Sequence, residues 1–335
     1  MLEKPAIPEE KISACLREEF GLQASQIDFL PLGADLNTAV YRVLANESET
    51  YFLKLRQGRF YEIAVELPKF LGEQGIREII VPMETVSGKM WANIDEYKAI
   101  LYPFIEGQDG YEKNLSESQW VELGQTFKRI HSVRLPAWLE KQIRGESYSP
   151  LHRLTLQSIL EEATGKTYGE PLSRTLVGLL KKHASIIRDL IERAEQLADL
   201  LQNHPAELCL CHGDLHAGNV LIEVEGRIHL VDWDDPIRAM KERDLMSIGA
   251  SLFGNWRGPQ EEETFFYEGY GQAQIDQTAL AYYRCERVIE DLAIECQQIF
   301  SAAGSKEDRE QALKFFESNF RPNNTIELAK KTPEH

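Results

Sequence analysis

Residues 208–236 read LCLCHGDLHAGNVLIEVEGRIHLVDWDDP, two short apolar runs and a turn set into a stretch that is otherwise helical in pattern. The runs VLIEV and RIHLVD flank Glu225-Gly226, a dipeptide suited to a tight hairpin turn. With the turn centred there, Asn219 and Asp232 lie equally far back along the two strands and face each other at the open end. Opposed residues of a ladder have Cβ atoms about 4.5–5.5 Å apart. An amide oxygen and a carboxylate at that spacing suit a hard cation that keeps waters and phosphates as its remaining ligands, which is the habit of Mg²⁺. Asp214 precedes Asn219 by five residues in the incoming loop. A carboxylate there is near the metal without having to bind it, and it can accept a proton from a hydroxyl. The strands are thus the mount, and their open end carries the chemistry.

This spacing follows the kinase pattern H-x-D-x₄-N followed by a metal-binding aspartate, here HGDLHAGN and then DWD. His212 reads as a structural residue holding the loop. Asp244, in KERDLMSIG, is placed to brace that loop or to cap the following helix. His216 is read either near the phosphates or as loop packing. Cys209, Cys211 and His212 do not make a metal site, because no second pair stands at zinc-ligand spacing. ELCLCHGD instead alternates like a buried strand carrying small thiols.

The nucleotide side of such a site needs a cation. Lys54 sits inside the strand-like YFLKLRQ, below the turn LGADLNTAVYRV, whose backbone N–H groups suit phosphates and where Gly33 permits close approach. A carboxylate should hold the lysine. Glu62 and Glu66 are the candidates, and Glu62 is preferred because Pro68 disturbs the geometry near Glu66. LYPFIEG reads as a connecting strand in which the Pro103 carbonyl and the Ile105 N–H can pair with adenine.

Elsewhere the pattern is simple. PEEKISACLREEFG is a helix stopped by Gly21, followed by strands in IDFLPLG, AVYRVLAN and TYFLKLRQ, with NESET as a hairpin. YEIAVELPKFLGEQG is helical. SESQWVELGQTFKRIHS is a helix with Ser116 as N-cap, and residues 173–203 form one or two helices. Residues 137–170 read as loops around a short helix, and helices resume at Arg238. The expected architecture is α+β, a protein-kinase-like bilobal fold. A small β-rich nucleotide-binding lobe with its hinge covers 1–105, and a larger, mainly helical catalytic and acceptor-binding lobe covers 106–335.

Composition narrows the partners. With 37 basic and 54 acidic residues the formal net charge is −17, a poor surface for nucleic acid or anionic membrane and a good one for a cationic small molecule. Five scattered cysteines indicate no disulfide framework and a reducing compartment. No apolar run is long enough to span a bilayer and no signal-peptide core opens the chain, so the expected location is cytoplasmic. No protein partner is indicated.

From about Leu30 onward the chain resembles the aminoglycoside phosphotransferase and choline kinase group, which shares the protein-kinase-like fold. The resemblance implies Asp214 as catalytic base, Asn219 and Asp232 as Mg²⁺ ligands, Lys54 with Glu62 on the ATP phosphates, and Pro103 and Ile105 on adenine. The chain lacks G-x-G-x-x-G, and DWDDPIRAMKERDL leaves no room for an activation segment, which argues for a small-molecule acceptor rather than a peptide. GADLNTAVYRV, YPFIEG, KERDLM, FFYEGYG and YYRCERVIEDLA resemble an antibiotic-resistance branch and imply phosphorylation of an aminocyclitol carrying methylamino cations. For such an acceptor, Glu286 and Glu290 share one helix face at i and i+4, and Trp256 and Tyr283 are aromatic candidates to wall a sugar-like ring. Two other readings stand beside this one. One is a metabolic kinase of the same fold, acting on choline, homoserine, methylthioribose or a sugar. The other is a nucleotide-binding regulatory module without turnover, against which the intact Lys54, Asp214, Asn219 and Asp232 argue.

Overall fold

In the computed structural model of the chain, the described residues are 4–33, 37–46, 48–165, 169–203, 206–250, 252–254, 256–301, 305–321 and 324–333. The chain begins with α1 (Glu9–Phe20), β1 (Ala24–Leu30), β2 (Thr38–Ala45), β3 (Glu49–Gln57), α2 (Ile63–Glu73), β4 (Ala92–Ile94), β5 (Tyr97–Pro103) and β6 (Gly107–Asp109). It continues with α3 (Glu117–Ser132), α4 (Ala137–Glu140), β7 (Arg144–Gly145), α5 (Leu151–Gly165), α6 (Pro171–Gln202) and β8 (Cys209–Cys211). A 3₁₀ turn at Ala217–Asn219 leads into β9 (Val220–Glu223), β10 (Ile228–Leu230) and β11 (Ile237–Ala239). Helices α7 (Glu242–Leu245), α8 (Pro259–Tyr270), α9 (Gln277–Phe300), α10 (Lys306–Ser318) and α11 (Thr325–Lys331) complete it. The chain divides into two compact units, one of residues 1–113, 135–142 and 219–235, the other of 114–134, 143–218 and 236–335.

The first unit is built on a five-stranded antiparallel sheet in the order β1-β2-β3-β5-β4. Alternation along β3 sends Leu53 and Leu55 into a core with Tyr41, Val43, Ala99 and Leu101, where Ile12 and Leu16 of α1 also pack. The intervening Phe52, Lys54 and Arg56 therefore belong to the opposite face. Gly21 ends α1 in the left-handed region at φ 69°, its N–H donating to Leu16 O. Pro68 lies within α2.

The 219–235 segment clusters with this unit, in a second sheet ordered β10-β9-β6. Its turn differs from the one expected. Glu223 N–H donates to Arg227 O and Gly226 N–H to Glu223 O, so the loop is Val224-Glu225-Gly226, with Gly226 at φ 92°. A three-residue loop with glycine in the left-handed position is the next commonest hairpin after the two-residue one. It moves the register by one, pairing Leu230 with Val220 and giving Val231 N–H to Asn219 O. Asn219 thus opposes Val231, not Asp232. Asp232 itself follows at φ 65°, a conformation asparagine and aspartate tolerate better than most residues.

The second unit is mainly helical. Its core gathers Leu156 and Leu160 of α5, Leu180, Ile187, Leu190 and Leu197 of α6, and Leu292 and Ile299 of α9. Ser116 caps α3 in a capping box with Gln119, and α6 is one continuous 32-residue helix. Two expectations need correcting. Residues 151–165 form a full helix of 15 residues, not a short one among loops. Arg238 lies in β11, which pairs antiparallel with β8 and parallel with β7, so helices resume only at Glu242. Three-residue strands are too short to show a period.

Candidate active site

In the first unit, Lys54 projects from β3 onto the end of the 219–235 segment. Its Nζ donates to Asp232 Oδ1 at 3.0 Å and to Asp234 Oδ2 at 2.8 Å. Arg56, two residues along the same face, also donates to Asp234 Oδ2. Burial alone would depress the Lys54 ammonium, but Asp232 and then Asp234 outweigh it and hold its pKa above the ordinary lysine value. Asn219 is buried, while Asp232 keeps about half of its side chain exposed at 48%. Two hard oxygen-donor side chains are therefore carried at this end of the hairpin, beside a mostly buried cation.

Lys54 is held by Asp232 and Asp234 and not by Glu62. Glu62 is exposed at the N-cap of α2, and the Glu66 carboxylate instead accepts from Gln142 Nε2 at 2.9 Å. The second aspartate of DWD therefore takes the part expected of Glu62. Sequence spacing alone gives no reason to prefer Asp234, because the contact spans 180 residues.

Gly33 adopts φ 85°. The turn expected over the phosphates includes residues 34–36, which lie outside the described residues. Pro103 ends β5 opposite Tyr51, and Ile105 follows in the link to β6. Phe104 N–H donates to Thr50 O on the β3 side, while Leu101 O accepts from Met83 N–H on the other. Strand alternation puts the Pro103 carbonyl on the same side as that of Leu101, away from β3.

In the second unit, Asp214 lies in a loop pinned from beneath. The Asp244 carboxylate, fully buried, accepts from His212 N–H and Gly213 N–H, each at 2.9 Å, and lies 3.0 Å from His131 Nε2. His131 Nδ1 in turn is 2.8 Å from the Tyr270 hydroxyl. Burial would raise the Asp244 carboxyl, but His131 foremost holds it below the usual range. Gly213 takes φ 87°, and Asp214 N–H donates to His212 Nδ1 at 3.3 Å. His212 and Asp244 thus hold the loop. The Cys209 and Cys211 thiols lie 3.8 Å apart near His131, whose two ring nitrogens are already engaged by Tyr270 and Asp244.

The Asp214 side chain remains 44% exposed. One oxygen meets the Arg287 guanidinium and the other lies 3.7 Å from His216 Nε2. Burial would raise this carboxyl too, but His216 and Arg287 pull it well below the ordinary carboxylate range. A carboxylate so placed is ionised across the neutral range and can accept a proton or orient a hydroxyl.

The four acceptor candidates separate. Tyr283 is fully buried in the helical core and cannot wall a ligand. Glu286 is buried against Arg153, and burial, only partly offset by that arginine, raises its pKa to about 7. Glu290 stays accessible, 3.6 Å from both His152 and Arg243, and Trp256 is 49% exposed. Arg287 was not among the residues singled out in the sequence. Its only sequence signal is a cation amid carboxylates on the α9 segment.

A family model described as "Phosphotransferase enzyme family" matches residues 28–285. The chain belongs to that family. A crystal structure of spectinomycin phosphotransferase APH(9)-Ia in complex with ADP and spectinomycin is 34% identical, with a TM-score of 0.91 over 99% of this chain and 100% of that one. An AMP-bound complex of the same enzyme gives 33% identity and a TM-score of 0.87, covering 98% and 99% of the two chains. Amicoumacin kinase hAmiN, solved with AMP-PNP, Ca²⁺ and Ami, is 18% identical and shares the fold at a TM-score of 0.63, over 97% and 94%. No curated protein matched the chain. Like these phosphotransferases, the chain joins a β-rich N-terminal sheet to a helical remainder. Among the described residues no helix is long and apolar enough to cross a membrane.

Proposed function

We propose that this phosphotransferase transfers the γ-phosphoryl group of ATP to a hydroxyl of spectinomycin, with Asp214 as the base. The observation that carries this reading is end-to-end similarity to a spectinomycin phosphotransferase at 34% identity, together with the residue types that phosphoryl transfer needs at Lys54, Asp214, Asn219 and Asp232. In this reading residues 1–105 bind the nucleotide and 106–335 carry the base and acceptor contacts. Glu290 and Trp256, both accessible, are the acceptor contacts of choice. The acid-rich composition suits a dicationic aminocyclitol. Location in the cytoplasm, where ATP is available, fits the same role.

Asn219 and Asp232 fit Mg²⁺ by donor chemistry, an amide oxygen and a carboxylate. Bound there, the ion would neutralise charge on the phosphate oxygens. The protein's own groups do the rest. Lys54 binds nucleotide phosphates, exchanging its carboxylate partners for phosphate oxygens. The Pro103 carbonyl and Ile105 N–H take the adenine edge, and Gly33 admits the phosphate chain close to the backbone. Asp214 accepts the acceptor's O–H proton as the new O–P bond forms, and the bond from Pγ to the ADP oxygen breaks. Most of the rate enhancement then comes from positioning and charge stabilisation.

Asp214→Ala is expected to lower kcat by about 10²–10⁴-fold while ATP affinity, measured by calorimetry, stays near wild type. Asp232→Ala is expected to weaken ATP binding in Mg²⁺ and to leave the weak metal-free binding unchanged. Near-wild-type turnover by Asp214→Ala would remove the base from that residue.

A further inference from the structure

Arg287, on α9, is a cation whose guanidinium joins Asp214 to a second carboxylate within the same unit. Its Nη1 donates to Asp214 Oδ1, and its Nε donates to Asp291 Oδ2 at 3.1 Å one helical turn away. The arginine is mostly buried, at 18% exposed, and Asp291 is 25% exposed, whereas Asp214 is 44% exposed. Asp214, the most exposed of the three, is thus held by a guanidinium that Asp291 also binds.

We propose that Arg287 is a positioning residue for Asp214: anchored by Asp291, its guanidinium fixes the orientation in which the Asp214 carboxylate meets the acceptor hydroxyl. This rests on Asp214 being the base. A guanidinium is suited to the task because its nitrogens form a rigid planar fork, so one group can hold two carboxylates at once, whereas a lysine is a point charge on a flexible stem. The other carboxylate oxygen, Oδ2, lies 3.7 Å from His216 Nε2. The order Asp291, Arg287, Asp214 is an orienting chain, with its α9 end fixed and its more accessible end reactive.

The charges around the chain come from three elements. His216 faces Asp214 from its own loop. Glu290, Asp291 and Glu295 accompany Arg287 on α9, and Arg243 of α7 reaches Glu290 at 3.6 Å. Removing the Arg287 charge takes a cation from beside Asp214 and leaves the repulsion between Asp214 and Asp291 without the charge that offsets it. Its pKa then rises, and the acid limb of the kcat profile moves to higher pH.

The test uses the full-length protein with MgATP and spectinomycin, and compares Arg287→Gln with Arg287→Lys. For Arg287→Gln, kcat should fall about tenfold or more with the KM for ATP within about twofold. Its acid limb should rise by about one pH unit or more. Arg287→Lys keeps the charge but not the fork, so kcat should fall while the acid limb stays near its wild-type position. A carboxyl-carbon NMR titration follows Asp214 itself. It should titrate well below the ordinary carboxylate range in wild type and nearer the ordinary value of about 3.9 in Arg287→Gln. A folded Arg287→Gln with wild-type kcat and an unmoved Asp214 titration overturns the proposal, as does a fall in kcat matched by a rise in the KM for ATP with the titration unmoved. Should Arg287→Gln fail to fold, Arg287→Lys decides, and unchanged turnover by it overturns the proposal. If wild type does not phosphorylate spectinomycin, the acceptor reading fails on its own. The Asp214 titration still decides the role of Arg287.

Discussion

Lys54 shows how much one side chain depends on its neighbours. It is 12% exposed, and two aspartates keep it charged against the cost of burial. Replacing Lys54 by alanine removes a charge-assisted contact worth about 1.5–3 kcal/mol, so the KM for ATP should rise roughly ten- to a hundredfold in steady-state kinetics. Glu262 on α8 is a contrasting case. It is buried, accepts the Gly249 N–H at 3.0 Å, and burial raises its pKa from 4.5 to about 7. Its folded pKa lies above the unfolded one. The stability it allows is therefore complete below about pH 4.5 and drains away as the pH rises toward 7. Glu262→Gln keeps an acceptor for Gly249 without the charge. It should match wild type in urea unfolding at pH 4 and exceed it by about 1–3 kcal/mol at pH 8. Equal stability at both pH values would show that Glu262 is ionised in the folded protein.

Helix α3 crosses α8 at glycines. A Cβ on Gly124 would meet Phe266 O at 2.0 Å, and one on Gly269 would meet Val121 O at 1.9 Å. Backbone cannot retreat as a flexible side chain can, so Gly269→Ala should cost about 1–3 kcal/mol or more, read as a lower urea midpoint. Gly178, on the exposed side of α6 with open space about it, is the counterpart. Gly178→Ala should stabilise by about 0.4–1 kcal/mol. Legibility differs from element to element for physical reasons. α1, β3 and α3 were readable because their burial follows one period and caps such as Gly21 and Ser116 punctuate them. α5 was not, because its polarity is partly inverted. Leu151 and Leu154 are exposed at 61% and 55%, while Arg153 is buried against Glu286. The 219–232 hairpin was placed correctly but its register was not. Whether Glu225-Gly226 is a whole loop or the end of a three-residue one depends on which residue takes the left-handed conformation.

For the whole molecule, the candidates Asp214, Asn219 and Asp232 were legible because they lie close in the chain at a patterned spacing. The partners that tune them were not. Asp234 meets Lys54 across 180 residues and Arg287 meets Asp214 across 73, and nothing local encodes either pairing. The acceptor contacts suffered most. Glu286 and Glu290 look alike on the α9 helix, yet one is sealed by Arg153 and the other is accessible. The net charge of −17 has its own consequence. If the field helps gather a dicationic acceptor, its KM should rise several-fold between about 0.05 and 0.5 M salt as screening shortens to a few ångströms, with kcat little changed. The most direct test of the account is ADP release with MgATP across a panel of spectinomycin, kanamycin, streptomycin, choline, homoserine and methylthioribose, run beside Asp214→Ala. The account predicts saturable turnover with spectinomycin, lost in Asp214→Ala. Turnover confined to a metabolite, or no turnover with any of the six, would contradict it.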